Sequence, residues 1–181
     1  MLKKIFVVLM ISAAFLIGGC QDNSEHVHDM PSVAQASPVA ANIPDFMTTT
    51  ITGETVTDEI FAAKKITVLN IWGTFCPPCI AEMPELGKMA RSLPDNAQII
   101  GLVCDASENS VQIQRALKIT TEARADFVNI IPDEQLLKFM ANVEAVPMTI
   151  FINSKGEVVG TAIVGANIEA YKNELKNLLK K

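Results

Sequence analysis

The chain has 181 residues, which gives room for one domain with an extension, because domains usually contain about 100 to 200 residues. Hydrophobic residues make up 49% and charged residues 19%, so the chain can bury a sizeable core and is not disordered throughout. Fifteen basic against 20 acidic residues give a net charge of −5, which argues against a nucleic-acid-binding protein.

Residues 1–19 have the pattern of a secretory signal peptide: a short basic start, an apolar run and small residues. The apolar run, at about 13 residues, is shorter than a bilayer-spanning helix, although an uncleaved membrane anchor stays an alternative. Ile17-Gly-Gly-Cys20 resembles a bacterial lipoprotein signal, which implies cleavage before Cys20 and lipid on that residue. The other alternative is ordinary cleavage that leaves the Cys20 thiol free.

Residues 20–44 are rich in Ala, Ser, Gln and Pro without apolar periodicity, which predicts a flexible linker between the lipid and a domain over 45–181. His26 and His28 lie in this linker, where we expect solvated side chains rather than a metal site. Residues 45–181 contain no histidine, which excludes Ser-His and Cys-His nucleophilic catalysis within the domain.

The apolar pattern of the domain alternates between strands and helices. We predict strands over residues 46–51, 54–61, 66–72, 98–104, 127–131, 148–152 and 157–164. We predict helices over residues 77–92, 108–124, 132–142 and a last helix capped by Asn167. The nearly continuous apolar run of residues 66–72 is typical of a strand buried on both faces. This order indicates an α/β fold, with a mixed central sheet and helices on both faces.

The chemistry lies in Cys76-Pro77-Pro78-Cys79, a C-x-x-C motif that opens a helix after a buried strand. Helix geometry places residues i and i+3 on one side, so the two sulfurs can form a disulfide. Unpaired N–H groups and the helix dipole favour a thiolate at a helix start, and the thiolate is the attacking species in disulfide exchange. We therefore expect Cys76 to attack and Cys79 to resolve the mixed disulfide. Because the prolines remove two amides near Cys76, we expect a pair toward the reducing end of the range.

Two alternatives to a redox motif stay open. A zinc site would need four ligands, and the domain offers neither a second C-x-x-C nor a histidine, so we expect no metal. A purely structural disulfide would stabilise little across so small a loop.

Residues 68–84, which include Trp72 and the C-x-x-C, resemble thioredoxin-fold thiol–disulfide oxidoreductases of the TlpA/ResA type. The resemblance covers residues 45–181 and implies a thioredoxin-like fold with an N-terminal strand extension and a helical insertion. Val146-Pro147 resembles the cis-proline loop of this fold, although a trans proline at a strand start is the alternative. The resemblance implies that Trp72, Pro77, Pro78, Val146 and Pro147 form the substrate-binding surface and active-site loop.

Glu82 follows Cys79 by one helical turn and matches the family's active-site glutamate, which tunes the thiols and relays the proton of Cys79. Its alternative role is that of a solvent-facing acid that complements the helix dipole. Asn70 stands where cytoplasmic thioredoxins carry a buried Asp, which puts a proton relay through that strand in doubt. Cys104 ends the strand predicted to run parallel to residues 66–72, so it is an extra thiol near the pair or a core filler.

We therefore expect a lipid-anchored, extracytoplasmic, monomeric thiol–disulfide oxidoreductase that reduces exported proteins, for example in cytochrome c maturation. Its redox-active disulfide Cys76–Cys79 needs no further cofactor, and the resemblance implies a membrane thiol electron donor. The alternatives are a disulfide oxidase or isomerase, and a tethered thioredoxin-fold binding module with a structural C-x-x-C. We assign no role to nucleic acid, and the membrane is a partner only through the lipid on Cys20.

Overall fold

A computed structural model describes residues 40–181 of the chain. The signal peptide, Cys20, the two histidines and most of the predicted linker lie outside the described residues. The strands are β1 (Met47–Thr49), β2 (Thr55–Thr57), β3 (Ile66–Trp72), β4 (Ala97–Val103), β5 (Val128–Ile130), β6 (Met148–Asn153) and β7 (Val158–Val164). The helices are α1 (Pro77–Arg91), α2 (Val111–Ala123), α3 (Glu134–Met140) and α4 (Ile168–Leu179).

Five strands form the main sheet in the order β5-β4-β3-β6-β7. Strand β3 lies at its centre, parallel to β4 and antiparallel to β6, and each of its seven residues is buried. Because β3 and β4 are parallel, Trp72 and Val103 end at the same edge of the sheet, and the chain leaves this edge toward α1. The predicted mixed sheet and the parallel pairing of β3 with β4 are confirmed.

Helices cover both faces of the sheet, as predicted. On one face, Val68 and Trp72 of β3 pack in a cluster with residues of α1, α2 and α4. On the other face, Leu69 and Ile71 pack in a cluster with residues of α3 and of the segment before β3. This alternation follows from the period of two in a strand, which points successive side chains to opposite faces. Asn70 therefore shares the face of Val68, toward α1 and α4.

The segment before the main sheet differs in part from the prediction. Strands β1 and β2 form an antiparallel hairpin, as expected, but the predicted strand over residues 54–61 ends at Thr57. Asp58–Phe61 is a 3₁₀ helix that buries Phe61 edge-on against Phe46, with ring centroids 6.1 Å apart. Over only four residues, the apolar spacing of a 3₁₀ turn looks much like the alternation of a strand. The sequence pattern therefore could not distinguish the two.

Two further boundaries differ from the predicted ones. Helix α2 begins at Val111 rather than at residue 108, because residues 107–110 form a turn in which Ser110 N donates to Ser107 O at 3.0 Å. Before the predicted domain start at residue 45, Ile43 N donates to Gly156 O at 2.9 Å, and the Ile43 side chain is buried. The packed part of the chain thus begins a few residues earlier than the predicted linker boundary.

Candidate active site

The chain that leaves β3 delivers both cysteines of the C-x-x-C to the start of α1. Cys76 is the N-cap residue with an extended backbone, and its sulfur accepts a hydrogen bond from Cys79 N at 3.3 Å. Pro77 and Pro78 occupy the first helical positions, where the N–H that proline lacks would have no partner in the helix. Of the amides in the first helical turn, the Cys79 N–H is thus the one that contacts the Cys76 sulfur.

Cys76 and Cys79 form a disulfide, with their Cα atoms 5.3 Å apart. Cys76 is 5% exposed and Cys79 is completely buried. The order of exposure supports the prediction that Cys76 is the sulfur that meets a substrate and Cys79 the one that resolves.

The loop before β6 lies against the redox pair. The peptide bond between Val146 and Pro147 is cis, as expected, and Val146 O lies 3.5 Å from the Cys76 sulfur. In the reduced protein this carbonyl can accept a hydrogen bond from the Cys76 thiol. The two segments that carried the sequence resemblance, residues 68–84 and residues 146–149, therefore meet in space.

A cavity of about 680 Å³ opens beside Cys76. Its wall is mainly apolar, with residues from the active-site loop, the end of α3 and the segment before Pro147. The lining residues are Ile71, Phe75, Cys76, Pro77, Pro78, Cys104, Leu137, Met140, Ala141, Val143, Glu144, Ala145 and Val146. Phe75 is 62% exposed, which is unusual for so large an apolar side chain. The cavity and Phe75 together offer an apolar surface next to the reactive sulfur.

Glu82 lies one turn after Cys79 in α1 and is only 5% exposed, so it is not a solvent-facing acid. Asn70 Nδ2 donates to its Oε1 at 2.9 Å, and the Tyr171 hydroxyl lies 3.0 Å from its Oε2. Burial raises the pKa of Glu82 above its ordinary value of 4.5, and the hydrogen bonds from Asn70 and Tyr171 act in the opposite direction. A buried carboxyl with a raised pKa, one turn from Cys79, is a better proton acceptor than an ordinary solvated carboxylate.

Comparison with known proteins places these features in a family. The family model described as "AhpC/TSA family" matches residues 39–161, more than half of the chain. The chain belongs to this family. A relative in Halalkalibacterium halodurans, the thiol-disulfide oxidoreductase ResA, is 29% identical over 150 residues, which cover 82% of this chain and 80% of that protein. The thioredoxin-like protein YneN of Bacillus subtilis is 29% identical over 115 residues, 64% of this chain and 65% of that protein.

The fold of the family is also found in solved structures. The crystal structure of StoA from Bacillus subtilis matches with a TM-score of 0.59 and 22% identity, covering 75% of this chain and 98% of that chain. The thioredoxin-like fold predicted from the sequence is thus confirmed. With the family's named relatives and its own Cys76–Cys79 disulfide, the chain is a thiol–disulfide oxidoreductase.

Trp72 does not form part of the substrate surface, which corrects the expectation from the resemblance. Its side chain is completely buried, and its Nε1 donates to Asn129 Oδ1 at 2.9 Å. The reason is its position on β3, where the period of two directs it under α1. Within residues 40–181, Phe75, three residues later, is the exposed aromatic side chain.

Sequence reasoning missed two residues that support the site. Asp105 accepts hydrogen bonds from Thr74 N at 2.9 Å and from Thr74 Oγ1 at 2.6 Å, so it fixes the loop that precedes Cys76. Tyr171 comes from α4, 89 positions after Glu82. Asp105 could have been noted because it directly follows the strand end at the active edge, whereas the sequence carries no local signal for Tyr171.

Cys104 lies near the redox pair, in the wall of the same cavity as Cys76. It is a half-buried free thiol. Burial, followed by the charge of Asp105, raises the pKa of the Cys104 thiol to about 11. A thiol with so high a pKa is protonated at neutral pH, which favours a packing role over an activated one.

Within residues 40–181, no helix is long and apolar enough to cross a bilayer. The same residues contain no group of three or more His, Cys, Asp or Glu side chains placed to hold a metal ion. The prediction of lipid on Cys20 falls outside the described residues and stays a prediction.

Proposed function

We propose that this protein is a reductase of disulfides in exported proteins, which is attached to the membrane by lipid on Cys20. The observation that carries the proposal is the position of the Cys76–Cys79 pair at the mouth of an apolar cavity, against the Val146–Pro147 loop. A cavity beside the attacking sulfur can hold the apolar residues around a substrate cysteine.

The reaction transfers two electrons and two protons to the substrate. The Cys76 thiolate attacks one sulfur of the substrate disulfide, and the other substrate sulfur leaves as a thiolate that takes a proton. Cys79 then loses its proton and attacks the Cys76 sulfur, which forms the Cys76–Cys79 disulfide and releases the second substrate thiol. The substrate is reduced to a dithiol and the enzyme is oxidised.

Glu82 is the group that accepts the proton of Cys79 in this scheme. Both residues are buried, so bulk water cannot readily take this proton. The Glu82 carboxylate is a stronger base than a solvated carboxylate because burial raises the pKa of Glu82. The proton can leave through the same carboxyl after the substrate departs.

The direction of the reaction follows from the stabilisation of the Cys76 thiolate. A strongly oxidising pair has a reduced form stabilised by many contacts to its thiolate. Here Pro77 and Pro78 carry no N–H, and the hydrogen bond that the Cys76 sulfur accepts comes from Cys79 N. We therefore place the pair toward the reducing end of the thioredoxin-fold range.

The location and partners rest on the sequence before the domain. The basic start, the apolar run and Ile17-Gly-Gly-Cys20 support export and lipid attachment at Cys20, and a lipid would hold the enzyme at the outer face of the membrane. Thiols of apocytochrome c are one substrate of fitting chemistry, and a membrane thiol carrier would return the enzyme to its reduced form.

The proposal is tested by trapping the mixed disulfide. In the Cys79→Ser variant, the Cys76 thiolate still attacks, but no resolving thiol follows, so a disulfide-linked complex with insulin should accumulate. The wild type should reduce insulin with dithiothreitol, and the Cys76→Ser variant should neither reduce nor trap it. Reduction by Cys76→Ser at the wild-type rate, or a wild type without activity, would refute the proposal.

A further inference from the structure

Tyr171 is a buried polar residue whose contacts converge on Glu82. It is the single tyrosine of the chain and lies on α4, where its side chain is completely buried. Its hydroxyl oxygen lies 2.8 Å from Gly165 O and 3.0 Å from Glu82 Oε2. Thr149 of β6 acts on the same hydroxyl and lowers the pKa of Tyr171, against the larger effect of burial.

The single proton of the Tyr171 hydroxyl cannot be donated to both Glu82 and the Gly165 carbonyl at once. A phenol has one proton to donate, and a backbone carbonyl can only accept. When Tyr171 donates to a charged Glu82, the Gly165 carbonyl loses that proton. When Tyr171 donates to Gly165 O, its oxygen can pair with Glu82 Oε2 only if Glu82 itself carries a proton. The same geometry thus satisfies both protonation states of the carboxyl.

Asn70, the other residue that contacts Glu82, does not have this freedom in the observed orientation. Its Nδ2 donates to Glu82 Oε1 at 2.9 Å and to Thr149 Oγ1 at 3.1 Å, so both amide hydrogens are used as donors. Its Oδ1 has no partner among the described residues. Asn70 therefore stabilises the charged carboxylate, whereas Tyr171 can serve either form.

We propose that Tyr171 is a positioning residue that lets Glu82 take up and release a proton while it stays buried. This inference rests on the proposed function, in which Glu82 accepts the proton of Cys79. Among the described residues, Glu82 hydrogen-bonds to Asn70 from β3 and Tyr171 from α4, and Cys79 lies one helical turn before it. Cys79 is held in the disulfide and has a proton to lose only after reduction, and Tyr171 stays protonated because burial raises its pKa to about 12.

Loss of the hydroxyl should act on Glu82 in one direction. In the Tyr171→Phe variant, the carboxylate keeps the donor from Asn70 and loses the one from Tyr171, so the charged form is less stable. We expect the pKa of Glu82 to rise further, by about one unit, as for the loss of one hydrogen bond to a charged group. The pH at which activity reaches half its plateau on the acidic side should rise by the same amount.

A first test is an NMR titration, which does not depend on enzymatic activity. The protein labelled with ¹³C at the ζ carbon of tyrosine gives a single resonance, because Tyr171 is the only tyrosine. This resonance should shift with pH, with a midpoint equal to that of the ¹³C-labelled Glu82 carboxyl. The shift should vanish in the Glu82→Gln variant. A resonance that does not move while Glu82 titrates, or that moves equally in Glu82→Gln, would overturn the proposal.

A second test uses the pH dependence of insulin reduction. Tyr171→Phe should move the acidic midpoint upward, and the same substitution in a Glu82→Gln background should have no effect on the profile. Leu178→Ala is the matched control, since Leu178 is buried on the same helix and makes none of the hydrogen bonds to Glu82. It should lower stability and leave the midpoint in place. An inactive wild type would refute the proposed function, whereas an active wild type with an unchanged Tyr171→Phe profile would refute this inference.

Discussion

The Cys104 thiol should react slowly with alkylating agents, although it lines the cavity beside Cys76. Burial first, and the charge of Asp105 second, raise the pKa of the Cys104 thiol from 9.0 to about 11. Because the thiolate is the reacting form, a rise of this size lowers the thiolate population at pH 7 by about 100-fold. Labelling should be slower than in the unfolded chain by about that factor, with partial burial adding to it.

The assay is iodoacetamide labelling of the oxidised protein at pH 7, followed by peptide mass spectrometry. In this form Cys76 and Cys79 are protected by their disulfide, and the Cys20 peptide separates by mass. The urea-unfolded, oxidised protein gives the reference rate. The Asp105→Asn variant should label faster than the wild type but slower than the unfolded chain, because it removes only the smaller contribution to the pKa. Labelling of the folded wild type at the unfolded rate would contradict the raised pKa of Cys104 and indicate an activated thiol.

Three further perturbations test other parts of the account. Gly101→Ala places a Cβ in direct overlap with Asn129 Oδ1 and 3.0 Å from Trp72 Nε1. Urea denaturation should show a loss of about 1–3 kcal/mol in the free energy of unfolding, and unchanged stability would contradict the packing under Trp72. The pKa of Glu82 is higher in the folded protein than in the unfolded chain. The contribution of Glu82 to the free energy of unfolding is therefore complete below its pKa in the unfolded chain, and it is lost as pH rises through its pKa in the folded protein. Glu82→Gln should therefore stabilise the protein at neutral pH relative to wild type, with the gain vanishing in acid, and a pH-independent difference would argue against it. Cys20→Ser should move the protein from the membrane to the soluble fraction of cells, whereas retention at the membrane would favour an uncleaved anchor.

The central strands could be predicted from the sequence because a strand buried on both faces is a nearly continuous apolar run. Residues 66–72 are apolar on both faces, and the structure has the strand at those residues. The start of α1 was also predictable, since two prolines fit the first turn of a helix. The 3₁₀ helix Asp58–Phe61 was not predictable, because its single buried turn depends on the distant contact between Phe61 and Phe46.

The redox pair and the cis-proline loop could be predicted because short motifs carry them. The environment of Glu82 could not, since its burial depends on which face of the sheet each strand residue takes. Asn70 and Thr149 are cross-strand neighbours on one face, and α4 adds Tyr171 from the far end of the chain. For the same reason Trp72 was misplaced: the motif predicts its proximity to the cysteines, and only the strand register shows that it points into the core.

The reduction potential of the Cys76–Cys79 pair distinguishes a reductase from an oxidase or a structural disulfide. The protein would be equilibrated with dithiothreitol or glutathione buffers, and the fraction of oxidised pair read by thiol alkylation and mass spectrometry. We predict a potential near the value of about −270 mV of thioredoxin. A potential near about −120 mV, typical of strong oxidants, or a disulfide that no buffer reduces, would contradict it.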